Sequence, residues 1–291
     1  MTCNLCPRKC NIDRQHKKGL CNTYDKILAA NASLHMWEEP CISGDKGSGT
    51  VFFSGCNLKC VYCQNRNISL NNTGKEISVE RLAEIFLELQ KKGAHNINLV
   101  TGTHFADKIA CAIGIARNNG LSVPVVYNCS GYESHETLKM LEPFVDIYLP
   151  DFKYWDASLS DKYSKAPDYP QVAKQAIDEM VKQKELVFDD DGMMKQGVLV
   201  RHLCLPGYVE NSKNILKYLH ESYGNRIIIS IMNQFTPANL EDYPEINRKL
   251  TKEEYDLIVA YALSYGIENA YIQEGETASE SFIPDFDCRG I

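Results

Sequence analysis

The chain has 291 residues, 44% of them hydrophobic and 10% aromatic, with a formal net charge of −7. That length allows one large α/β domain plus a small appendage, and the acidic balance excludes a general nucleic-acid surface. No run of about 18 apolar residues occurs, so no membrane span is expected.

The opening residues, MTCNLCPRKC, lack an apolar stretch and do not read as a secretory signal. Of the twelve cysteines, seven fall in two tight sets, while Cys41, Cys111, Cys129, Cys204 and Cys288 are scattered. Ligand-like spacing of this kind points to metal sites in a reducing cytoplasm.

Residues 1–25 carry the first set, Cys3-x2-Cys6-x3-Cys10-x10-Cys21. Four thiols close one tetrahedral site and leave no open position. A segment this short and polar cannot bury a useful core, so metal would supply its folding free energy. Iron–sulfur, mononuclear iron and zinc all suit the spacing. Residues 26–49 read as a connecting loop, with a short apolar stretch at Ile27–Ala30 and flexible glycines at 44, 47 and 49. The loop either covers the next site or is a solvated connection.

A β-branched and aromatic strand, Thr50 to Phe53, leads into Cys56-Asn57-Leu58-Lys59-Cys60-Val61-Tyr62-Cys63. Thiolates are soft ligands for iron–sulfur clusters, zinc and Cu(I), and three are one short of the usual four. The spacing also puts all three on one helix face, where cysteines can be small core residues. Asn57 and Lys59 between them favour the ligand reading.

Strand and helix then alternate. Ser78 caps a helix with Leu82, Ile85, Phe86 and Leu89 on one face. Further strands are expected near 97, 124, 145, 198 and 226, with Thr251 and Glu254 as a capping box for a last helix. Repeated βα units imply a parallel sheet with right-handed crossovers. Six main strands are too few for a closed eight-stranded barrel, so a partial (β/α)6 barrel is expected over 50–235. A helical extension follows over 236–291.

Parallel α/β folds place chemistry at the C-terminal ends of strands. Those ends carry Thr101-Gly102-Thr103-His104, Asn128-Cys129-Ser130, Asp151-Phe152-Lys153 and Arg201-His202. His104 is either a donor to a ligand or a polar residue opening a helix. Asn128 and Ser130 either donate to a ribose or carboxylate or build a turn. Asp151 and Lys153 either orient charged groups or pair locally. Arg201 offers a fork of donors suited to a carboxylate.

The Cys56-x3-Cys60-x2-Cys63 run, with Tyr62 before its last cysteine, resembles the hallmark of radical S-adenosylmethionine (SAM) enzymes. The longer stretch from Ile42-Ser43-Gly44 through Gly55-Cys56 to Cys63-Gln64-Asn65 resembles the pyruvate formate-lyase activating-enzyme branch, and within it PflX-like proteins. The resemblance implies a [4Fe–4S] cluster on Cys56, Cys60 and Cys63, whose open iron chelates SAM. Reductive cleavage of SAM would yield a 5′-deoxyadenosyl radical for hydrogen abstraction, as in glycyl-radical activation. An electron donor such as flavodoxin or ferredoxin is implied as partner. Tyr62, Thr101, Gly102, Thr103, Asn128, Ser130 and Arg201 would face SAM. Asp151, Lys153 and His202 would face the substrate, a protein loop or peptide in preference to a small metabolite. An iron–sulfur electron-transfer module is the rival reading.

Overall fold

The computed structural model describes residues 2–237, 240–273 and 284–291. Its strands are β1 (Ile27–His35), β2 (Ser48–Phe53), β3 (Lys75–Ile77), β4 (Ile97–Val100) and β5 (Val125–Cys129). They continue as β6 (Ile147–Pro150), β7 (Val187–Phe188), β8 (Met194–Leu203), β9 (Ile228–Met232) and β10 (Ala270–Ile272). The helices are α1 (Pro40–Ser43), α2 (Arg66–Ser69), α3 (Val79–Lys91), α4 (Ala106–Asn118), α5 (His135–Leu141), α6 (Ala157–Ser164), α7 (Tyr169–Gln183), α8 (Val209–Tyr223) and α9 (Lys252–Ser264).

Short, largely apolar runs such as Ile97–Val100, which includes Asn98, and Ile147–Pro150 are buried on both faces. That is the pattern of parallel strands sandwiched between a lumen and outer helices. The strands are ordered β10-β9-β8-β6-β5-β4-β2-β1-β3, with β7 beside β8. From β2 through β10 this path is parallel, and the sheet does not close. The expected partial barrel is therefore present. The Ser78 cap and the Thr251–Glu254 capping box also form.

Residues 26–49 differ from the expected loop. Ile27–His35 is a nine-residue strand antiparallel to both β2 and β3. Ala29 to Ala32 are buried in succession, without a two-residue alternation, because both faces are covered there. The chain then turns under the barrel. In α1, Cys41, Ile42 and Ser43 are buried. Cys41 and Ile42 pack against Val126, Ile147, Leu149, Leu199 and Ile228. These belong to the lumen-facing sides of four barrel strands, so α1 plugs the floor. Asn96 fixes the plug by donating to the Ile42 carbonyl at 2.7 Å.

The stretch after 235 carries a strand as well as a helix. β10 pairs parallel with β9 and extends the same sheet. Among the described residues, no helix is long and apolar enough to cross a membrane. The segment before Ile27 has little regular structure beyond a Thr2–Asp13 bridge. Arg8 and Arg14 hold it against the barrel. Arg8 donates to the Asn57 carbonyl at 2.9 Å and the Ser164 carbonyl at 2.9 Å. Arg14 donates to the His104 carbonyl and to Thr23.

The plug's contribution is measurable. Ile42 is fully buried, so Ile42→Ala should destabilise the fold by about 2–5 kcal/mol through lost burial and the cavity left behind. Urea unfolding of the two proteins checks this. A change within error would mean that α1 is not packed as described.

Candidate functional site

The turn after β2 brings three thiols to the barrel mouth. Gly55 takes φ +88°, and a Cβ there would lie 2.5 Å from Thr23 Cγ2 and 2.6 Å from the Cys21 carbonyl oxygen. Only glycine lets the N-terminal segment approach this closely. The Cys56 amide in turn donates to that Cys21 carbonyl at 3.2 Å. Cys56, Cys60 and Cys63 all line one cavity of about 450 Å³.

Each of the three sulfurs already meets a donor. The Leu58 amide lies 3.4 Å from Cys56 Sγ, Ser164 Oγ 3.1 Å from Cys60 Sγ, and Ser69 Oγ 3.4 Å from Cys63 Sγ. Donors aimed at sulfur favour thiolates, whereas burial pushes the metal-free Cys56 thiol up to about 12. A positive metal centre would resolve that conflict. Tyr62 packs against Tyr154, Tyr163 and Phe235 beside the loop. Its buried hydroxyl and that of Ser130 have no partner among the described residues.

Below the thiols the lumen is polar. Arg201 Nε donates to Asp151 Oδ1 at 3.0 Å, Nη1 to Glu38 Oε2 at 3.1 Å, and Nη2 to Asn128 Oδ1 at 2.6 Å. Lys153 Nζ pairs with Asp151 Oδ2 at 2.6 Å. Asn98 donates to Glu38 Oε1 at 3.0 Å. Burial works to raise the Asp151 carboxyl, but Lys153 and Arg201 outweigh it and hold it below the usual range. For Glu38, burial wins over Arg201 and the carboxyl is pushed up. Glu39 is raised in the same way.

The cavity thus gathers Tyr62, Thr101, Asn128, Ser130, Asp151, Lys153 and Arg201 with the three thiols. Thr101 is held at φ +59° where β4 ends. Gly102 and Thr103 do not line the cavity. A Cβ on Gly102 would lie 2.4 Å from Ile109 Cδ1, and Thr103 Oγ1 donates to Glu133 at 2.8 Å in the protein interior. His202, expected beside a substrate, faces away. Adjacent residues of a strand point to opposite faces, so Arg201 inside puts His202 outside. Its Nδ1 lies 2.7 Å from the Phe152 carbonyl oxygen and its Nε2 2.8 Å from Ser212 Oγ, and burial lowers its pKa to about 4. His104 is also buried, with Nε2 2.8 Å from the Ser54 carbonyl oxygen, and does not line the cavity.

Glu38 and Glu39 were missed by the sequence reading. Both line the cavity, and the only signal was a pair of acids before Pro40 in a stretch read as loop. The N-terminal thiols stand apart from the cavity. A Cβ on Gly19 would lie 3.3 Å from Cys21 Sγ and 3.7 Å from Cys10 Sγ. The Leu20 amide donates to Cys10 Sγ at 3.4 Å, and Arg14 Nη1 lies 4.0 Å from Cys3 Sγ. Among the described residues, no three Cys, His, Asp or Glu side chains converge on one point as ligands to a single ion would.

The family model described as the radical SAM superfamily matches residues 50–250. The uncharacterized protein MJ0674 of Methanocaldococcus jannaschii is 27% identical over 281 residues, covering 92% of this chain and 76% of that protein. MJ0808 of the same organism is 23% identical over 297 residues, covering 94% and 83%. A radical SAM methyltransferase from Sphaerobacter thermophilus superposes with TM-score 0.56 at 12% identity, covering 79% of this chain and 67% of that one. Streptococcus suis SuiB bound to S-adenosylmethionine gives TM-score 0.52 at 12% identity, over 78% of this chain but only 52% of SuiB. The likeness to both structures is one of fold.

Removing the Arg201 cation leaves the buried Glu38 without a cationic partner and Asp151 with Lys153 alone. Arg201→Met should therefore cost about 3–5 kcal/mol near pH 7. Without Arg201 the folded-state pKa values of Glu38 and Asp151 rise, so the native variant binds more protons than the native parent. Stability then falls with rising pH, and the deficit should shrink as pH drops from about 8 to about 6. Denaturant titrations across that range check the sign. A deficit that grows on acidification would contradict it.

Proposed function

Because this chain belongs to the radical SAM superfamily, we propose that Cys56, Cys60 and Cys63 hold its [4Fe–4S] cluster and that the cavity beneath them receives SAM and a substrate. One observation carries this reading: three thiols, each met by a hydrogen-bond donor, line the same cavity as the lumen-facing ends of the parallel strands. When bound, the cluster and SAM together supply a 5′-deoxyadenosyl radical that abstracts a hydrogen atom.

The chain's own residues position, charge and enclose that site. The partnerless Ser130 hydroxyl and the Thr101 turn offer direct contacts to SAM. Arg201 and Asn128 are bonded to each other, so they act as a braced wall. Asp151 and Lys153 present a matched acid and base at the rim, oriented toward the substrate. The α1 plug and the aromatic packing around Tyr62 exclude water, which protects reactive intermediates.

The finer reading is activation of a protein or peptide, as in the activating-enzyme branch. Its support is the Asp151-Phe152-Lys153 segment and a sheet in which, among the described residues, no strand pairs with β10 beyond β9, with Ile272, Gln273 and Trp37 lining the cavity. SuiB, which shares the fold, is known bound to its precursor peptide SuiA. A one-electron donor of the flavodoxin or ferredoxin class would serve the cluster.

Cys3, Cys6, Cys10 and Cys21 form, in this reading, a second metal site that braces the cluster loop. The Gly19 cradle and the donors to Cys10 and Cys3 support it. The Cys21–Cys56 backbone bond and the Arg8 contacts connect the segment to the loop.

Two outcomes test these assignments. Anaerobically reconstituted protein should absorb near 400 nm, and replacing Cys56, Cys60 and Cys63 by Ala should remove the iron and sulfide of one cluster; unchanged iron would sink the assignment. Replacing the four N-terminal cysteines by Ala should lower the melting temperature and remove a separate metal complement. Metal content equal to the parent's would rule the second site out, and elemental analysis distinguishes iron from zinc.

A further inference from the structure

Among the described residues, carboxyl groups outnumber cations in the lumen. Glu38, Glu39 and Asp151 line it as acids, against Arg201 and Lys153 as cations. Asp151 is matched by both cations, and Glu38 by Arg201, Asn98 and Asn128. Glu39 is the remainder. Its Oε2 is sealed from solvent and has no hydrogen-bond partner among the described residues. A buried carboxylate oxygen left without a donor is costly, and Glu39 gives up that stability at the wall of the cavity that holds the three thiols.

The surroundings of Glu39 limit what would complete it. Burial raises the Glu39 carboxyl overall, and against it the Arg201 cation and the Ser230 hydroxyl favour the charged form from one layer, where Arg201 and Ser230 stand paired on β8 and β9. Tyr271 and Trp37 are aromatic walls of the same space, and aromatic faces attract cations. A surplus carboxyl group, an oxygen without a donor and aromatic walls together favour a cationic donor over an anion or a neutral acceptor.

We propose that the Glu39 carboxylate is the receptor for an alkylammonium group of the substrate, seated in the lumen below SAM. This rests on the functional reading above and names the substrate class for that site. The ammonium can belong to a free amine or to a lysyl side chain of a peptide. Both present the same three N–H donors.

The test uses anaerobically reconstituted holoenzyme and isothermal titration calorimetry, with and without SAM. The probes are n-butylammonium and the tripeptide acetyl-Gly-Lys-Gly-amide; n-butanol and the Nε-acetylated tripeptide are the neutral controls. At least one ammonium probe should bind, and its control should bind at least about tenfold more weakly. Glu39→Gln, nearly the same shape, should erase about tenfold or more of the ammonium affinity. Ser230→Ala should weaken the same probe to a smaller degree, and it serves if Glu39→Gln fails to fold. Preference for the free amine points to a metabolite, and preference for the tripeptide to a polypeptide substrate; either supports the proposal. SAM is titrated separately into each protein. If SAM fails to bind the parent, the functional reading falls, and the ammonium arm is still scored without SAM. The proposal is overturned if neither ammonium probe binds, if Glu39→Gln binds the probe as the parent does, or if Glu39→Gln weakens SAM instead.

Discussion

The buried guanidinium of Arg201 is the constraint on which the rest of this site depends. Removing an ion from water costs several kcal/mol, and its neighbours must offset that with good geometry. Arg201 meets the demand with three partners from three separate parts of the chain: Glu38 before the plug, Asn128 on β5 and Asp151 after β6. Each partner is thereby fixed in turn. The floor of the barrel is tied to its rim through one side chain, and the spacing between plug and mouth follows from its reach.

A second constraint lies above it. The loop from Cys56 to Cys63 has few bonds of its own and is set by what surrounds it. Arg8 holds its backbone from the N-terminal segment, Tyr132 accepts from Asn57 at 2.9 Å, and the Tyr163 carbonyl accepts from the Val61 amide at 2.9 Å. Three parts of the molecule thus converge on a loop that must present three thiols at once. These contacts fix the backbone of the loop, while the three sulfurs do not converge on one point among the described residues. Disturbance of the N-terminal segment therefore reaches the loop through the Cys21–Cys56 backbone hydrogen bond and the Arg8 contacts.

Much of the architecture was legible because its signals are local. Buried runs such as Ile97–Val100 read as strands, and Ser78 and Thr251 read as caps, since burial pattern and capping depend on near neighbours in the chain. Two readings went astray for different reasons. His202 was placed beside Arg201 in the site, although the two-residue period of a strand already separates them. Residues 26–49 were read as a loop. Nothing in His35-Met36-Trp37-Glu38-Glu39-Pro40 has a period, and the identity of the strands above decides that this stretch turns beneath a barrel.

By itself the sequence determined the thiol triplet, the alternation of strand and helix and the residues that end each strand. These follow from spacing and periodicity, which are properties of neighbouring residues. Only the tertiary structure decided that Glu38 and Glu39 enter the lumen, that Arg201 is engaged by three partners, and that Cys21 touches Cys56. Each of these is a contact between residues at least 35 positions apart, or a balance of charge across several strands. Burial strengthens such pairings by removing competing water, and which groups become buried together is set when the sheet curls around them.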